Sequence, residues 1–321
     1  MQGAAPQADA PPTLDQFQGC LLGLALGDAL GAPREGGPVE RLLWALIGKT
    51  TSGEMRWTDD TQMSIDVAES LLGRPTIDED DLAQRFARSY RWSRGYGPGA
   101  ARVLKRIAKG ADWRQASRSV YPEGSFGNGG AMRAPVIALF FAQTPLALAD
   151  AARRIAAITH AHPLGVEGAE LVALATKQAL RRSTGLELVT LCAAATTQQV
   201  MASRAAVARE WLHAGASPSP REVAQQLGRG IAAADSCITA IYLAARFLEA
   251  PFEDLIRFVA CVGGDVDTIG AMAGGIWGAS RGRVDLPPAA LDKLESRDRL
   301  TALATALHAA VAHGSDLRRS P

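Results

Sequence analysis

Glycine recurs at every fourth position in two segments of this chain, which strongly restricts how those segments can pack. One stripe lies near the start of the chain and the other near its end: Gly19, Gly23, Gly27 and Gly31, and Gly270, Gly274 and Gly278. Residues four apart share one face of a helix, yet glycine in a helix interior costs about 1 kcal/mol relative to alanine. A second backbone that approaches closely would compensate this cost. We therefore predict two centrally buried helices and interpret the glycines themselves as tight packing.

The apolar residues elsewhere repeat at a spacing of three or four, as at Met63, Val67 and Leu71, which is the helical period. Residues 136–141 could form a strand by composition, but they continue a helical pattern. The sequence therefore predicts an all-α fold. Its 321 residues allow two domains, but no convincing linker separates them, so we expect one compact domain over residues 14–313. Residues 1–13 are predicted to form a disordered leader and residues 314–321 a flexible tail.

The charges are almost balanced, because 34 Lys and Arg residues oppose 33 Asp and Glu residues. A net charge of +1 provides no broad field that would attract nucleic acid or an acidic membrane. The apolar runs fall short of the roughly 18 residues that a membrane span needs. The four cysteines form no CxxC pair. We expect a cytoplasmic, monomeric protein that binds neither membranes nor nucleic acid directly.

Two acidic clusters stand at predicted helix starts. The first contains Thr58, Asp59 and Asp60, and the second contains Asp265, Asp267 and Thr268. Each cluster alone is typical of a well-started helix, with Thr58 as N-cap. Together they offer the oxygen ligands that a pair of Mg²⁺ or Mn²⁺ ions prefers. The alternatives are that these carboxylates are protonated or lie far apart. Asp265 and Asp267 cannot share one face of a regular helix, so we expect an irregular junction between loop and helix.

Two further carboxylates lie near the predicted end of the first helix, which Gly31 and Pro33 should terminate. Glu35 lies in the loop beyond it, where a glutamate is normally solvated. Asp28 near the end of this helix is interpreted as a carboxylate that hydrogen-bonds to loop backbone. Neither residue identifies a site by itself.

Two glycine-rich loops precede predicted helices and could hold phosphate through backbone N–H groups. The first contains Gly95, Gly97 and Gly99, but it is not a dinucleotide fingerprint because no strand precedes it. The second loop contains Ser125, Phe126, Gly127 and Asn128. Tyr96 of the first loop and Phe126 of the second could stack on a base, although core packing is the commoner role of such residues.

His160 is interpreted either as a hydrogen-bonding partner of a ligand or as an ordinary helix-end histidine.

In combination these motifs resemble the ADP-ribosylglycohydrolases, also called ADP-ribosyl-acceptor hydrolases. The resemblance extends from about residue 17 to residue 281 and rests on six motifs in the same order as in that family. It implies an all-α enzyme with two Mg²⁺ or Mn²⁺ ions at the bottom of an ADP-ribose cleft, which acts on ADP-ribose and ADP-ribosylated proteins. The implied metal ligands are Thr58, Asp59, Asp60, Asp265, Asp267 and Thr268.

The resemblance also implies roles for the remaining motif residues. Glu35 matches the family's mobile glutamate beside the metals. The loop of Gly95, Gly97 and Gly99, together with Ser125, would hold the diphosphate, and Gly127 is a further expected substrate-binding residue. Phe126 would pack near the adenosine, where some relatives have tyrosine, Asn128 would contact the distal ribose, and His160 would hydrogen-bond to ribose or phosphate.

The expected reaction is hydrolysis at the anomeric carbon of the distal ribose, with Glu35 or Asp60 assisting as base or as electrostatic partner. The glycine-rich motifs look more like the branch that acts on serine and other oxygen linkages than like the dinitrogenase reductase branch that acts on arginine. An arginine-specific hydrolase, a binding module without catalysis and a metal-dependent phosphohydrolase remain the alternatives. The linkage, the choice of Mg²⁺ or Mn²⁺ and the oligomeric state stay open.

Overall fold

The computed structural model describes residues 11–74 and 76–319. These ranges contain seventeen α-helices and three short 3₁₀ helices, and they contain only isolated β-bridges in place of strands. The all-α prediction is confirmed. The α-helices are α1 (Leu14–Gly31), α2 (Pro38–Ile47), α3 (Asp59–Gly73), α4 (Glu79–Ser89), α5 (Pro98–Ala108), α6 (Trp113–Arg118), α7 (Ala134–Phe141), α8 (Pro145–Ala157), α9 (Pro163–Leu180), α10 (Gly185–Ala195), α11 (Gln199–His213), α12 (Pro220–Gln226), α13 (Ala233–Arg246), α14 (Phe252–Val262), α15 (Val266–Arg281), α16 (Pro288–Leu291) and α17 (Arg297–Arg319).

The two glycine stripes face each other in the middle of the molecule. Helices α1 and α15 run antiparallel, so that Gly23 lies against Gly274 and Gly27 lies against Gly270. A Cβ atom at any of these positions would overlap the opposite backbone. Gly31 at the end of α1 touches the start of α15, where its Cβ would lie 2.5 Å from the Cα of Asp267. The prediction of two central, closely packed helices is confirmed.

Local sequence fixes both ends of α1. Thr13 forms a capping box, because its side chain accepts from the backbone N–H of Gln16 while the Gln16 side chain accepts from the N–H of Thr13. The amide of Gln16 also donates to the carbonyl oxygens of Leu180 and Ala279, each at 2.9 Å. The helix ends at Gly31 as predicted, and a 3₁₀ turn (Ala32–Arg34) leads to Glu35.

The other helices pack around this pair and share one contiguous hydrophobic core. Helices α9, α13 and α14 cover α15, whereas α17 and α7 pack on α1. The apolar run at residues 136–141 belongs to α7 and is helical, as its periodicity predicted. None of the described helices is both long and apolar enough to cross a membrane.

The division into leader, domain and tail stays a prediction. Residues 1–10 of the leader and residues 320–321 of the tail lie outside the described residues. Helix α17 extends to Arg319 and so enters the range in which the sequence predicted a flexible tail.

Candidate active site

The two acidic helix starts meet at one end of the α1–α15 pair. Carboxylate oxygens of Glu35, Asp265 and Asp267 lie within 4.8 Å of one another, and so do those of Asp28, Asp60 and Asp267. The Thr268 hydroxyl donates to Oδ1 of Asp60 at 3.4 Å and joins the two clusters directly. Segments about 200 residues apart in the chain thus form one site, which removes the alternative that the carboxylates lie far apart.

A single buried carboxylate holds the start of α3. Oδ1 of Asp28 accepts from the backbone N–H of Thr58 at 2.8 Å, and Oδ2 accepts from the N–H and the hydroxyl of Thr61 at 3.0 and 2.6 Å. The Thr58 hydroxyl accepts from the N–H of Asp60 at 3.3 Å, which confirms Thr58 as N-cap. The interpretation of Asp28 as a helix-end carboxylate bonded to loop backbone is also confirmed. Asp28 therefore orients the segment that carries Asp59 and Asp60.

Backbone geometry holds the start of α15. Gly263 and Gly264 adopt positive φ angles of 74° and 80°, which favour glycine, and the N–H of Asp265 donates to the carbonyl oxygen of Arg229 at 2.9 Å. Asp265 is the N-cap, whereas Asp267 lies in the first helical turn. This is the irregular junction that the spacing of the two aspartates predicted. It lets both carboxylates face the same site.

Burial and mutual repulsion disfavour the charged forms of these carboxylates. Burial, followed by the charges of Asp28 and Asp59, raises the pKa of Asp60 well above its usual range. Burial, followed by the charge of Glu35, does the same to the pKa of Asp267. Burial raises the pKa of Asp28 to about 6, although its hydrogen bonds to Thr61 and Thr58 oppose the change.

One carboxylate oxygen in this cluster lacks a hydrogen-bond donor, which favours the binding of a metal ion. Oδ2 of Asp60 is buried and has no hydrogen-bond partner among the described residues. A buried acceptor without a donor is costly, and a cation would satisfy it. The oxygen donors from carboxylates and threonine hydroxyls are those that Mg²⁺ and Mn²⁺ prefer, so the residues present fit such ions.

The acidic cluster and the two glycine-rich loops line one pocket. Gly97 is the N-cap of α5, so that the first turn of this helix opens into the pocket at Gly99. Thirteen of the fifteen site residues predicted from the sequence line this pocket: Glu35, Asp59, Asp60, Gly95, Gly97, Gly99, Ser125, Gly127, Asn128, His160, Asp265, Asp267 and Thr268.

Three predicted residues are placed differently from their expected roles. Thr58 is not among the residues that line the pocket, and its hydroxyl accepts from the backbone N–H of Asp60. Phe126 is 49% exposed and its ring packs edge-on against His162, outside the pocket lining. Asn128 lines the pocket, but its amide donates to Oδ2 of Asp265 at 2.5 Å and to the Ser236 hydroxyl at 2.9 Å. The expected contacts of these residues with metal, adenosine and ribose stay predictions.

Some residues that shape the pocket were not assigned by the sequence reasoning, and four of them have side chains that matter here. Tyr121, Met132 and Ile231 line it, and Arg133 lies fully buried behind it. Of these four, only Arg133 could have been identified from the sequence, because it is a lone charge directly before the apolar residues of α7. The other three come from segments whose approach to the pocket depends on the tertiary fold.

A family profile described as ADP-ribosylglycohydrolase matches residues 9–316. The chain belongs to the ADP-ribosylglycohydrolase family. It is 36% identical to the ADP-ribosylhydrolase ARH3 of Danio rerio, with 88% of each chain covered. A solved structure entitled "ADP-ribosylglycohydrolase-related protein complex" superposes with a TM-score of 0.68 and 29% identity, over 93% of this chain and 98% of the other.

Membership of the ADP-ribosylglycohydrolase family makes the chain an enzyme that hydrolyses glycosidic bonds of ADP-ribose, as the motifs implied. A second relative is the ADP-ribosyl-[dinitrogen reductase] glycohydrolase of Rhodospirillum rubrum, at 27% identity over 89% of this chain and 92% of the relative. The chain is thus more similar to ARH3 than to this protein. The predicted order of similarity between the two branches is confirmed.

Proposed function

We propose that this enzyme releases ADP-ribose from oxygen-linked acceptors, serine side chains foremost, at a centre of two Mg²⁺ or Mn²⁺ ions. The observation that carries the proposal is the convergence of both acidic helix starts and both glycine-rich loops on one pocket. A ligand that is polyanionic in the middle and carries a ribose at its end matches such a pocket. The oxygen linkage is supported by the greater identity to ARH3 than to the dinitrogen reductase glycohydrolase.

The glycine-rich loops offer groups that could bind the diphosphate. The first backbone N–H groups of α5 have no partner within the helix, because Gly97 is its N-cap, and those of Gly99 and Ala100 lie at the pocket wall. A helix N-terminus attracts anions. Ser125 and Gly127 line the same pocket. Anchoring the diphosphate here would orient the distal ribose toward the carboxylates.

The acidic cluster offers groups that could hold metal ions and support the chemical step. Two ions would be held by Thr58, Asp59, Asp60, Asp265, Asp267 and Thr268, and they would supply Lewis-acid polarisation of ribose hydroxyls and of water. Asn128 fixes the Asp265 carboxylate, and Asp28 fixes the segment of Asp59 and Asp60.

The two carboxylates closest to the expected reaction would handle the proton and the positive charge. Glu35 lies beside Asp265 and Asp267 at the end of a 3₁₀ turn, where it can accept a proton from the attacking water. Asp60 would stabilise the oxocarbenium-like charge of the ribose. The oxygen of the water bonds to the anomeric carbon, the bond from that carbon to the acceptor oxygen breaks, and the acceptor oxygen takes up the proton that Glu35 received from the water and leaves as an alcohol.

A substrate panel tests the proposal. The purified enzyme is incubated with serine-linked, arginine-linked and nucleic-acid-linked ADP-ribose, each with Mg²⁺, Mn²⁺ or a chelator, and products are separated by chromatography. Release of ADP-ribose from the serine conjugate, dependent on a divalent ion, is the expected result. AMP as product would indicate a phosphohydrolase, and preferential cleavage of the arginine conjugate would refute the proposed linkage.

We also propose that the enzyme acts as a cytoplasmic monomer on ADP-ribosylated proteins and does not bind nucleic acid directly. All four cysteines are free thiols, and three of them are buried, which suits a reducing compartment. Sedimentation of the purified protein and fractionation of cells would test both statements.

A further inference from the structure

The ring of His160 is held in one orientation within the pocket wall. It packs against two glycines of the second loop, and a Cβ atom at Gly127 would lie 3.2 Å from its Nε2 atom. A Cβ atom at Gly129 would lie 2.8 Å from the same atom. His160 lines the pocket, and the close approach of these two glycines restricts its ring. The Nδ1 atom points instead to the Thr159 hydroxyl, at 2.8 Å.

A buried guanidinium occupies the other side of Thr159. Arg133 is 0% exposed, and its Nη2 atom donates to the Thr159 hydroxyl oxygen at 3.0 Å and to the carbonyl oxygen of Ile155 at 2.8 Å. Its Nη1 atom donates to the carbonyl oxygen of Gly129. A guanidinium has donors and no acceptor, so the direction of the hydrogen bond to Thr159 is fixed.

The second hydrogen bond of the Thr159 hydroxyl goes to Nδ1 of His160. The hydroxyl oxygen accepts from Arg133, and Nδ1 is the only other hydrogen-bond partner that the described residues offer it, so the hydroxyl proton points to Nδ1. Nδ1 is then the acceptor, and the proton of the neutral imidazole resides on Nε2. Burial, followed by the charge of Arg133, lowers the pKa of His160 to about 3, so the ring is neutral at physiological pH.

We propose that Arg133 and Thr159 are positioning residues that fix His160 as the Nε2–H tautomer, which donates a hydrogen bond to an acceptor oxygen of the bound ADP-ribose. The identity of the ligand rests on the proposed function. The tautomer itself does not, because it follows from the contacts of the protein alone. The ligand atom that faces Nε2 must therefore be an acceptor, such as a phosphate oxygen or a ribose oxygen. A ligand group that can only donate would be rejected.

Nitrogen-15 NMR of histidine-labelled protein without ligand tests the tautomer. His160 is assigned by comparison with the spectrum of the His160→Gln variant. In the wild type we expect a protonated Nε2 and an unprotonated Nδ1, unchanged between pH 5 and pH 8. Thr159→Val, which keeps the side-chain shape but has no hydroxyl, should lose this preference. Thr159→Ser should retain it. A protonated Nδ1 in the wild type, or an unchanged tautomer in Thr159→Val, would overturn the proposal.

Titration calorimetry with ADP-ribose tests the consequence for binding. Thr159→Val should weaken the affinity about tenfold, the loss of one hydrogen bond, whereas Thr159→Ser should stay within about twofold of the wild type. Equal affinities of the two variants would overturn the role in binding. Absence of ADP-ribose binding by the wild type would instead contradict the proposed function and leave the NMR result decisive for the tautomer. Circular dichroism verifies that both variants are folded.

Discussion

The starts of α3 and α15 present the same chemical groups but are held by different means. Each provides one threonine and two aspartates to the site. The start of α3 depends on one side chain, since Asp28 accepts hydrogen bonds from both Thr58 and Thr61. The start of α15 depends on the glycine ladder, by which we mean the two facing glycine stripes of α1 and α15, and on two glycines with positive φ. The first support therefore depends on the hydrogen bonds of one side chain, whereas the second belongs to the close packing of two central helices.

The largest effect is expected for Gly27→Ala, which disrupts the close packing of α1 against α15. Its methyl group would overlap the backbone of Gly270, so the unfolding free energy should fall by about 3 kcal/mol. Denaturation with urea measures this loss. Gly73→Ala is the matched control, because that helical glycine has only the tip of Arg85 nearby, at 3.8 Å, and should keep or gain stability. Equal stability of both variants would contradict the packing role of the ladder.

The next largest effect concerns a ligand on α15 rather than its support. Asp265→Ala should lower kcat about a thousandfold and weaken binding of Mg²⁺, while the helical circular dichroism signal stays unchanged. Asp285→Ala provides the control, because this carboxylate lies beyond the other end of α15 in an exposed pair with Arg281. Normal turnover by Asp265→Ala would remove Asp265 from the proposed metal site.

Glu35 lies beside Asp265 and Asp267 and is proposed to accept a proton from the attacking water. Glu35→Ala should therefore lower kcat about a hundredfold and change the affinity for ADP-ribose much less. Steady-state kinetics combined with calorimetry separate the two effects. A larger loss of affinity than of rate would make Glu35 a binding residue.

A smaller effect is expected when the support of α3 is loosened. Asp28→Asn retains the side-chain volume but cannot accept all the hydrogen bonds from Thr58 and Thr61, so the affinity for Mn²⁺ should fall about tenfold. Glu167→Gln is the matched control. Glu167 is a buried carboxylate that accepts from the backbone of Thr197 and Gln198 before α11, outside the pocket.

Both variants should lose about 2 kcal/mol of stability, and only Asp28→Asn should lose affinity for the ion. Unfolding with urea and calorimetry with Mn²⁺ are therefore measured on the same two preparations. Similar affinities would show that Asp28 acts only on stability.

The sequence predicted those features that depend on local spacing. The glycine period predicted the central pair, Thr58 was predicted as N-cap, and the spacing of Asp265 and Asp267 predicted the irregular junction. In each case the physical cause lies within a few residues. The meeting of the acidic starts was a hypothesis that needed the tertiary structure.

The residues whose contacts differ from those expected from the sequence are oriented by partners that lie elsewhere in the chain. Asn128 turns its amide toward Asp265 and Ser236, which are more than 100 residues away in the chain. Phe126 packs against His162 at the surface. No spacing rule indicates such contacts, because the orientation of the second loop is determined by the segments folded around it.

The glycine ladder also has a consequence for biosynthesis. Gly27 and Gly270 lie 243 positions apart in the sequence (270 − 27), so a ribosome must have synthesised the intervening residues before the two helices can associate. Until then, half of the proposed metal ligands have no counterpart, and helix α1 exposes apolar surface to which chaperones can bind. Catalytic competence should therefore arise only after α15 has been synthesised, as a late and cooperative event.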